Sequence, residues 1–206
     1  KSKSTAFFKT LKIIKNNNYD VAISPHSSIT TALLMLFARI PIRVGFARWT
    51  SQYLLTQKPL HLKGKLKIKK NLNLLTPFSD KKFSIQTELH PTLKMFKKAD
   101  DILSQLNSES RKIIAVAPGS NWFTKRWPQE NYNELVNNLH NKGYGIVFIG
   151  SSVERSICDE IKPKGNYVNL AGELSLLESA AVISKCDLVI CNDSGAMHLA
   201  NAMSTD

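Results

Sequence analysis

Cysteine is scarce: Cys158, Cys186 and Cys191 are the only three in 206 residues. An odd number without paired CxxC spacing supplies neither a disulfide framework nor a zinc site, so a reduced, cytoplasmic protein without disulfide or metal is expected. Long apolar runs are also missing. The most apolar, Ile29 to Ile40, is interrupted by Arg39 and falls well short of the roughly 20 residues that cross a bilayer, so no membrane span is expected. The early cluster Ala6-Phe7-Phe8 is brief and closed by Lys9, which argues against a signal sequence. With no initiator Met and an abrupt stop at Thr205-Asp206, the chain reads as a fragment. Acidic residues are few as well, 16 against 28 Lys and Arg, for a net charge of +12. That balance suits an anionic partner such as nucleic acid, a phosphorylated substrate or an acidic membrane surface. The interleaved aromatic and basic pattern of an RRM is absent, which argues against nucleic acid. No repeat of fixed period is visible.

What is present is a normal apolar fraction, 43%, arranged as short runs between helical periods, the pattern of βαβ units and a parallel sheet. Residues 113–117, 146–149, 167–170 and 188–191 are β-branched-rich runs too short for helices. Tyr132, Leu135, Val136 and Leu139 mark a helix ending near Lys142-Gly143, and Ser175-Leu176-Leu177-Glu178 reads as a capping box opening another. The first half predicts helices at 5–15 and 28–39 and strands at 20–24 and 42–46, with Ile29, Ala32, Leu33, Leu36 and Phe37 on one face of the second helix. The lysine-rich stretch from His61 to Lys82 predicts a partly ordered, solvent-facing region, followed by a linker near 83–91 and a helix over about 92–106. A boundary between Leu106 and Ile113 is expected, giving a partial domain over 1–107 and another over 108–206, both Rossmann-like.

Ligands of parallel α/β sheets bind outside the carboxyl ends of the strands. After the 113–117 strand comes Pro118-Gly119-Ser120-Asn121-Trp122-Phe123-Thr124-Lys125-Arg126-Trp127-Pro128, with a glycine for close backbone approach, hydroxyl and amide groups for phosphate oxygens, and a cationic Lys125. After 146–149 comes Gly150-Ser151-Ser152-Val153-Glu154, whose carboxylate suits ribose hydroxyls. After 188–191 comes Asn192-Asp193-Ser194-Gly195-Ala196-Met197-His198. Each has a plainer alternative: surface charge for Lys125 and Arg126, a first-turn acid for Glu154, an N-cap for Asp193 and Ser194, a half-buried histidine for His198. Their joint occurrence at successive strand ends favours a phosphate-compatible site.

Ala117-Pro118-Gly119-Ser120, Thr124-Lys125-Arg126-Trp127-Pro128, Asn169-Leu170-Ala171-Gly172 with Leu176 and Glu178, and Asn192-Asp193-Ser194-Gly195 with His198-Leu199-Ala200, in that order, resemble the ADP-heptose:lipopolysaccharide heptosyltransferases. These are glycosyltransferase family 9, of the GT-B fold, and the chain is most like its heptosyltransferase II type. Residues 19–27 and Arg43-Val44-Gly45-Phe46 resemble the family's acceptor-side domain, and the 61–82 stretch matches least. The resemblance implies two Rossmann-like domains, both incomplete here, and an inverting, metal-independent transfer of heptose to the lipopolysaccharide inner core. By position, Ser120, Asn121 and Lys125 would contact the donor diphosphate, with Lys125 stabilising the departing ADP. Glu154 would meet the ribose, Leu174 would lie beside the nucleoside through its backbone, and Asp193, Ser194, Gly195 and His198 would hold sugar and phosphates. The general base would precede Lys1, and a basic residue usual after Pro25-His26-Ser27 is replaced near Ile29-Thr30. Lys63 to Lys70 would suit peripheral attachment to the cytoplasmic face of the inner membrane. The alternatives are the same fold with another nucleotide sugar, or a non-catalytic module binding anionic glycolipid.

Overall fold

A computed structural model describes residues 3–107 and 112–206. The elements of the first half are α1 (Lys3–Asn16), β1 (Val21–Ser24), α2 (Ile29–Phe37), β2 (Ile42–Gly45) and the short α3 (Lys67–Leu72). The second half contains α4 (Leu93–Asn107), β3 (Lys112–Ala117), α5 (Gln129–Asn141), β4 (Tyr144–Phe148), α6 (Arg155–Glu160), β5 (Tyr167–Asn169), α7 (Leu176–Ile183), β6 (Leu188–Cys191) and α8 (Gly195–Met203). Two compact units result, Lys1–Ile85 and Gln86–Asp206.

In the first unit β1 and β2 pair in parallel, Val21 opposite Ile42 and Ser24 opposite Gly45, as the expected βαβ unit requires. The Arg43 side chain ties the segments on either side of β2: Nε donates to the Leu54 carbonyl at 2.8 Å and Nη1 to the Ile40 carbonyl at 2.6 Å. Helix α2 does not bury the face its spacing predicts. Ala32 and Met35 are buried while Ile29 and Phe37 are exposed, because a helix that is apolar nearly all round carries no periodic signal to select a face. The 61–82 stretch is also better ordered than its composition predicts. It forms α3 and a 3-10 turn at Asn73–Leu75, and Leu74 is buried against Val44 and Phe46. The apolar residues of the stretch are irregularly spaced among lysines and only Leu74 is buried, so there is no period to read, and Lys63, Lys65, Lys67 and Lys69 remain exposed.

The second unit is built on a four-stranded sheet, order β5-β4-β3-β6, parallel throughout. Alternate residues of a strand face opposite sides. Ile113, Ala115 and Ala117 of β3 and Val147 of β4 therefore join one core with α4, α7 and α8, while Ile114, Val116, Ile146 and Phe148 join another with α5 and α6. Coverage of both faces explains why these strands read as continuous apolar runs. Helix α5 ends where Lys142-Gly143 predicts, with Gly143 at φ +81°, a left-handed conformation that favours glycine.

The division between units differs from the expected one. The stretch predicted to hold the boundary includes residues 108–111, outside the described residues, and the units part instead between Ile85 and Gln86. The reason is that Ala99, Leu103 and Leu106 of α4 are buried in the core shared with α7, so α4 is a structural layer of the second unit and the linker precedes it. All three cysteines are free, and burial pushes the thiols of Cys158 and Cys186 up to about 12. Among the described residues no helix is long and apolar enough to cross a membrane.

Phe148 is fully buried in β4. Phe148→Ala is expected to cost about 3–5 kcal/mol, measurable as a lowered urea midpoint; a loss below ~1 kcal/mol would mean that this face of the sheet is not tightly packed.

Candidate functional site

The chain steps from β3 through β4 to β5 in one direction, then returns to place β6 on the other side of β3. Where strand order reverses in this way, connections leave the two neighbouring strands in opposite directions and open a crevice at their carboxyl ends. Here those ends are Ala117 and Cys191, paired in register. The loop 118–128 leaves β3, and Asn192-Asp193-Ser194 leaves β6 to start α8.

The 118–128 loop does not run straight into its helix. It makes a 3-10 turn at Phe123–Lys125, and α5 starts only after Pro128, whose fixed φ suits a helix entry. That turn carries Lys125 to the crevice, where Nζ donates to Asp193 Oδ2 at 2.5 Å. The two segments singled out in the sequence thus meet through an ion pair. The hydrogen bond and charge of Lys125 hold the Asp193 carboxyl below its ordinary value, with a smaller contribution from His198 on the second turn of α8.

Alongside lies a cavity of about 300 Å³ with apolar walls from Ile149, Leu174, Leu176 and Leu199, and polar groups from Glu154, Ser194 and Gly195. Ser194 is the N-cap of α8 and makes no side-chain bond to that helix. The first N–H groups of a helix lack internal partners and favour an anion. Glu154 serves two purposes at once. Its Oε2 accepts from the Ser151 N–H at 2.8 Å and the Ser151 hydroxyl at 2.7 Å, within a capping box, while the residue also borders the cavity. Gly119 makes room for it, since a Cβ there would stand 2.6 Å from Glu154 Cγ.

Of the residues expected at the site, Glu154, Leu174, Ser194 and Gly195 line this cavity, and Lys125 meets Asp193 just before α8, which carries His198. Ser120 lies elsewhere: it is buried, and its carbonyl oxygen accepts from Arg126 Nε at 2.8 Å. Asn121 is exposed and is not part of the cavity wall. Two arginines contribute that the sequence does not assign to the site, Arg126, expected as surface charge, and Arg155. Arg126 braces the loop, and Arg155 joins the turns after β4 and β5 by donating to the Ala171 carbonyl at 3.0 Å and to Glu173 Oε1 at 2.7 Å. Arg155 has no sequence signal beyond a positive charge near a turn. The predicted box at Ser175 and Glu178 caps α7 at the cavity wall, with Lys98 Nζ donating to Glu178 Oε1 at 2.7 Å.

The sequence profile described as Glycosyltransferase family 9 (heptosyltransferase) matches residues 7–206. A lipooligosaccharide heptosyltransferase 2 of Haemophilus influenzae is 30% identical over 90% of the chain and 58% of its own length. The chain thus spans less than two thirds of that relative. Among solved structures, the Escherichia coli ADP-heptose lps heptosyltransferase II superposes with a TM-score of 0.76 at 25% identity, over 97% of the chain and 66% of that structure. A glycosyltransferase family 9 structure from Veillonella parvula superposes with a TM-score of 0.86 at 20% identity, over 100% of the chain and 62% of that structure. The α/β architecture with parallel sheets is that of the GT-B class expected above.

Gly119→Ala is expected to push Glu154 off its cap and lower stability by about 0.5–2 kcal/mol, as loss of other caps does; an unchanged denaturation midpoint would mean that the carboxylate has other room. Glu178 is held down to about 2 by its hydrogen bond from Lys98 and then by those from Ser175. Its folded value lies below the unfolded one. The resulting stabilisation is therefore present above the ordinary value of 4.5 and is lost as the pH falls from there to about 2. Lys98→Met should return the carboxyl toward 4.5 in a carbon-13 NMR titration.

Proposed function

Because the chain belongs to glycosyltransferase family 9, we propose that the full-length protein transfers a heptose from ADP-heptose to the inner core of lipopolysaccharide, with inversion and without a metal or other cofactor. The observation that carries this reading is the meeting of Lys125 and Asp193 at the switch point, beside a cavity whose volume suits a nucleoside. In this reading the nucleoside lies against the Leu174 backbone, and the Glu154 carboxylate accepts from ribose hydroxyls. Lys125 serves the diphosphate, while Asp193, Ser194, Gly195 and His198 hold sugar and phosphates; the buried Ser120 and the exposed Asn121, both outside the cavity wall, take no part in this reading.

The acceptor hydroxyl attacks the anomeric carbon on the face opposite the diphosphate, and its proton passes to a base outside these 206 residues. The bond from the anomeric carbon to the diphosphate oxygen breaks, and ADP leaves with the electron pair. Lys125 and the N–H groups of α8 stabilise the charge that develops on it, a task that fixed dipoles and a cation perform without reorganisation. In the absence of the donor the ammonium of Lys125 stands beside Asp193.

The charge distribution supports an anionic acceptor and a membrane surface. Residues 1–85 carry sixteen Lys and Arg against Asp20 and Asp80, net +14, whereas residues 86–206 carry twelve against fourteen, net −2. In the first unit Arg48, His61 and Lys63 line a hollow of about 400 Å³ after β2, suited to carboxylates or phosphates of an inner-core sugar. The exposed lysines of the 61–82 stretch suit peripheral attachment to the acidic cytoplasmic face of the inner membrane.

With full-length protein and ADP-heptose, Lys125→Ala is expected to lower kcat about 100-fold or more. Unchanged turnover would remove Lys125 from the chemistry. A panel of nucleotide sugars should raise the Tm most with ADP-heptose; a larger rise with another sugar would reassign the donor.

A further inference from the structure

We propose that Asn192 is a positioning residue: its side-chain amide ties both ends of the loop that carries Lys125 to the end of β6, and so sets where the Lys125 ammonium stands. For its catalytic consequence the proposal rests on the role given to Lys125 above. The geometric part does not.

The loop begins at Pro118 and ends at Pro128. At its beginning, Asn192 Nδ2 donates to the Pro118 carbonyl at 2.7 Å and, more weakly, to the Gly119 carbonyl at 3.4 Å. At its end, Asn192 Oδ1 accepts from the Trp127 N–H at 3.1 Å. Pro128 has no N–H, so Trp127 supplies the last backbone donor before α5. A single amide therefore closes the base of the loop, and it does so from the residue next to Asp193. The side chain is enclosed, with Asn192 9% exposed.

The exposed ion pair cannot perform this task. The Lys125 and Asp193 side chains are 43% and 64% exposed, and pairs in water hold long side chains weakly. A lysine with a mobile stem returns to one place only if its backbone is already fixed there. Buried hydrogen bonds do that, because breaking them strands polar groups away from water. The chemistry required is also narrow. One group must donate toward carbonyls on one side and accept an N–H on the other, as a planar amide does. Aspartate would turn a negative oxygen toward the Pro118 and Gly119 carbonyls. Leucine, of similar shape, would leave the Pro118 carbonyl and the Trp127 N–H without their partner.

The Lys125–Asp193 contact reports the outcome without any ligand. In the full-length protein, carbon-13 NMR should follow the Asp193 carboxyl in the wild type, Asn192→Ala, Lys125→Ala and the double variant. Asn192→Ala is expected to raise the Asp193 titration to that of Lys125→Ala. A titration that stays at the wild-type position in folded Asn192→Ala overturns the proposal. Should that variant not fold, Asn192→Ser, whose hydroxyl is too short to bridge both loop ends, is read in the same way and by the same criterion. With ADP-heptose, Asn192→Ala is expected to lower kcat about 100-fold, the scale of a misplaced catalytic group. Adding it to Lys125→Ala should change kcat by less than about twofold. Losses that instead multiply would mean that Asn192 acts apart from Lys125. A wild type that turns over no nucleotide sugar would sink the proposed function, while the titration would still decide the role of Asn192.

Discussion

The parallel pairing of β6 with β3 is the contact on which the second unit depends. β3 is buried on both faces and already paired with β4, so its free edge can accept one further strand. Had β6 added beside β5 instead, it would lie three strands from β3, ~14 Å at the usual strand spacing, and Lys125 could not reach Asp193. With β6 in its observed place, the turn that opens α8 and the loop after β3 leave adjacent strands. The crevice, the ion pair and the helix terminus beside the cavity all follow from that choice of edge.

The carboxylates of the second unit are largely engaged in structure. Glu154 and Glu178 close capping boxes, Asp187 accepts from the Ile113 N–H at 2.9 Å, and Asp193 meets Lys125. The cations of the first unit differ. Among its described residues none stands within ion-pair distance of a carboxylate, and the unit's net charge of +14 exceeds the +12 of the whole chain. The field of such a charge attracts anions over a Debye length, about 8 Å at physiological salt. One unit uses its charges in local geometry and the other presents them to solvent.

Much of this architecture was legible locally. The runs at 113–117 and 188–191 read as strands because they are short, β-branched and flanked by turn residues, and both formed. Ser175 and Glu178 announced a cap three residues apart, and the cap is there. Less legible were features whose cause lies elsewhere in the chain. Helix α4 was visible as a helix, yet its allegiance was not, since the residues that bury Leu103 come from α7 and the sheet, far along the sequence. Leu74 gave no period. Glu154 looked as though it must be either a cap or a ligand group, and a carboxylate with two oxygens can be placed to do both.

The sequence by itself therefore determined most of the elements, their parallel class and the two segments rich in phosphate-compatible groups, because these depend on short-range periodicity and turn chemistry. It also carried the family resemblance. Only the tertiary structure decided which strand edge β6 would take, where the units part, and that Asn192 would tie the two segments together. Those outcomes rest on contacts between residues 74 and 80 positions apart, which compete for the same buried surface and the same unpaired backbone groups. No local pattern can encode the result of that competition.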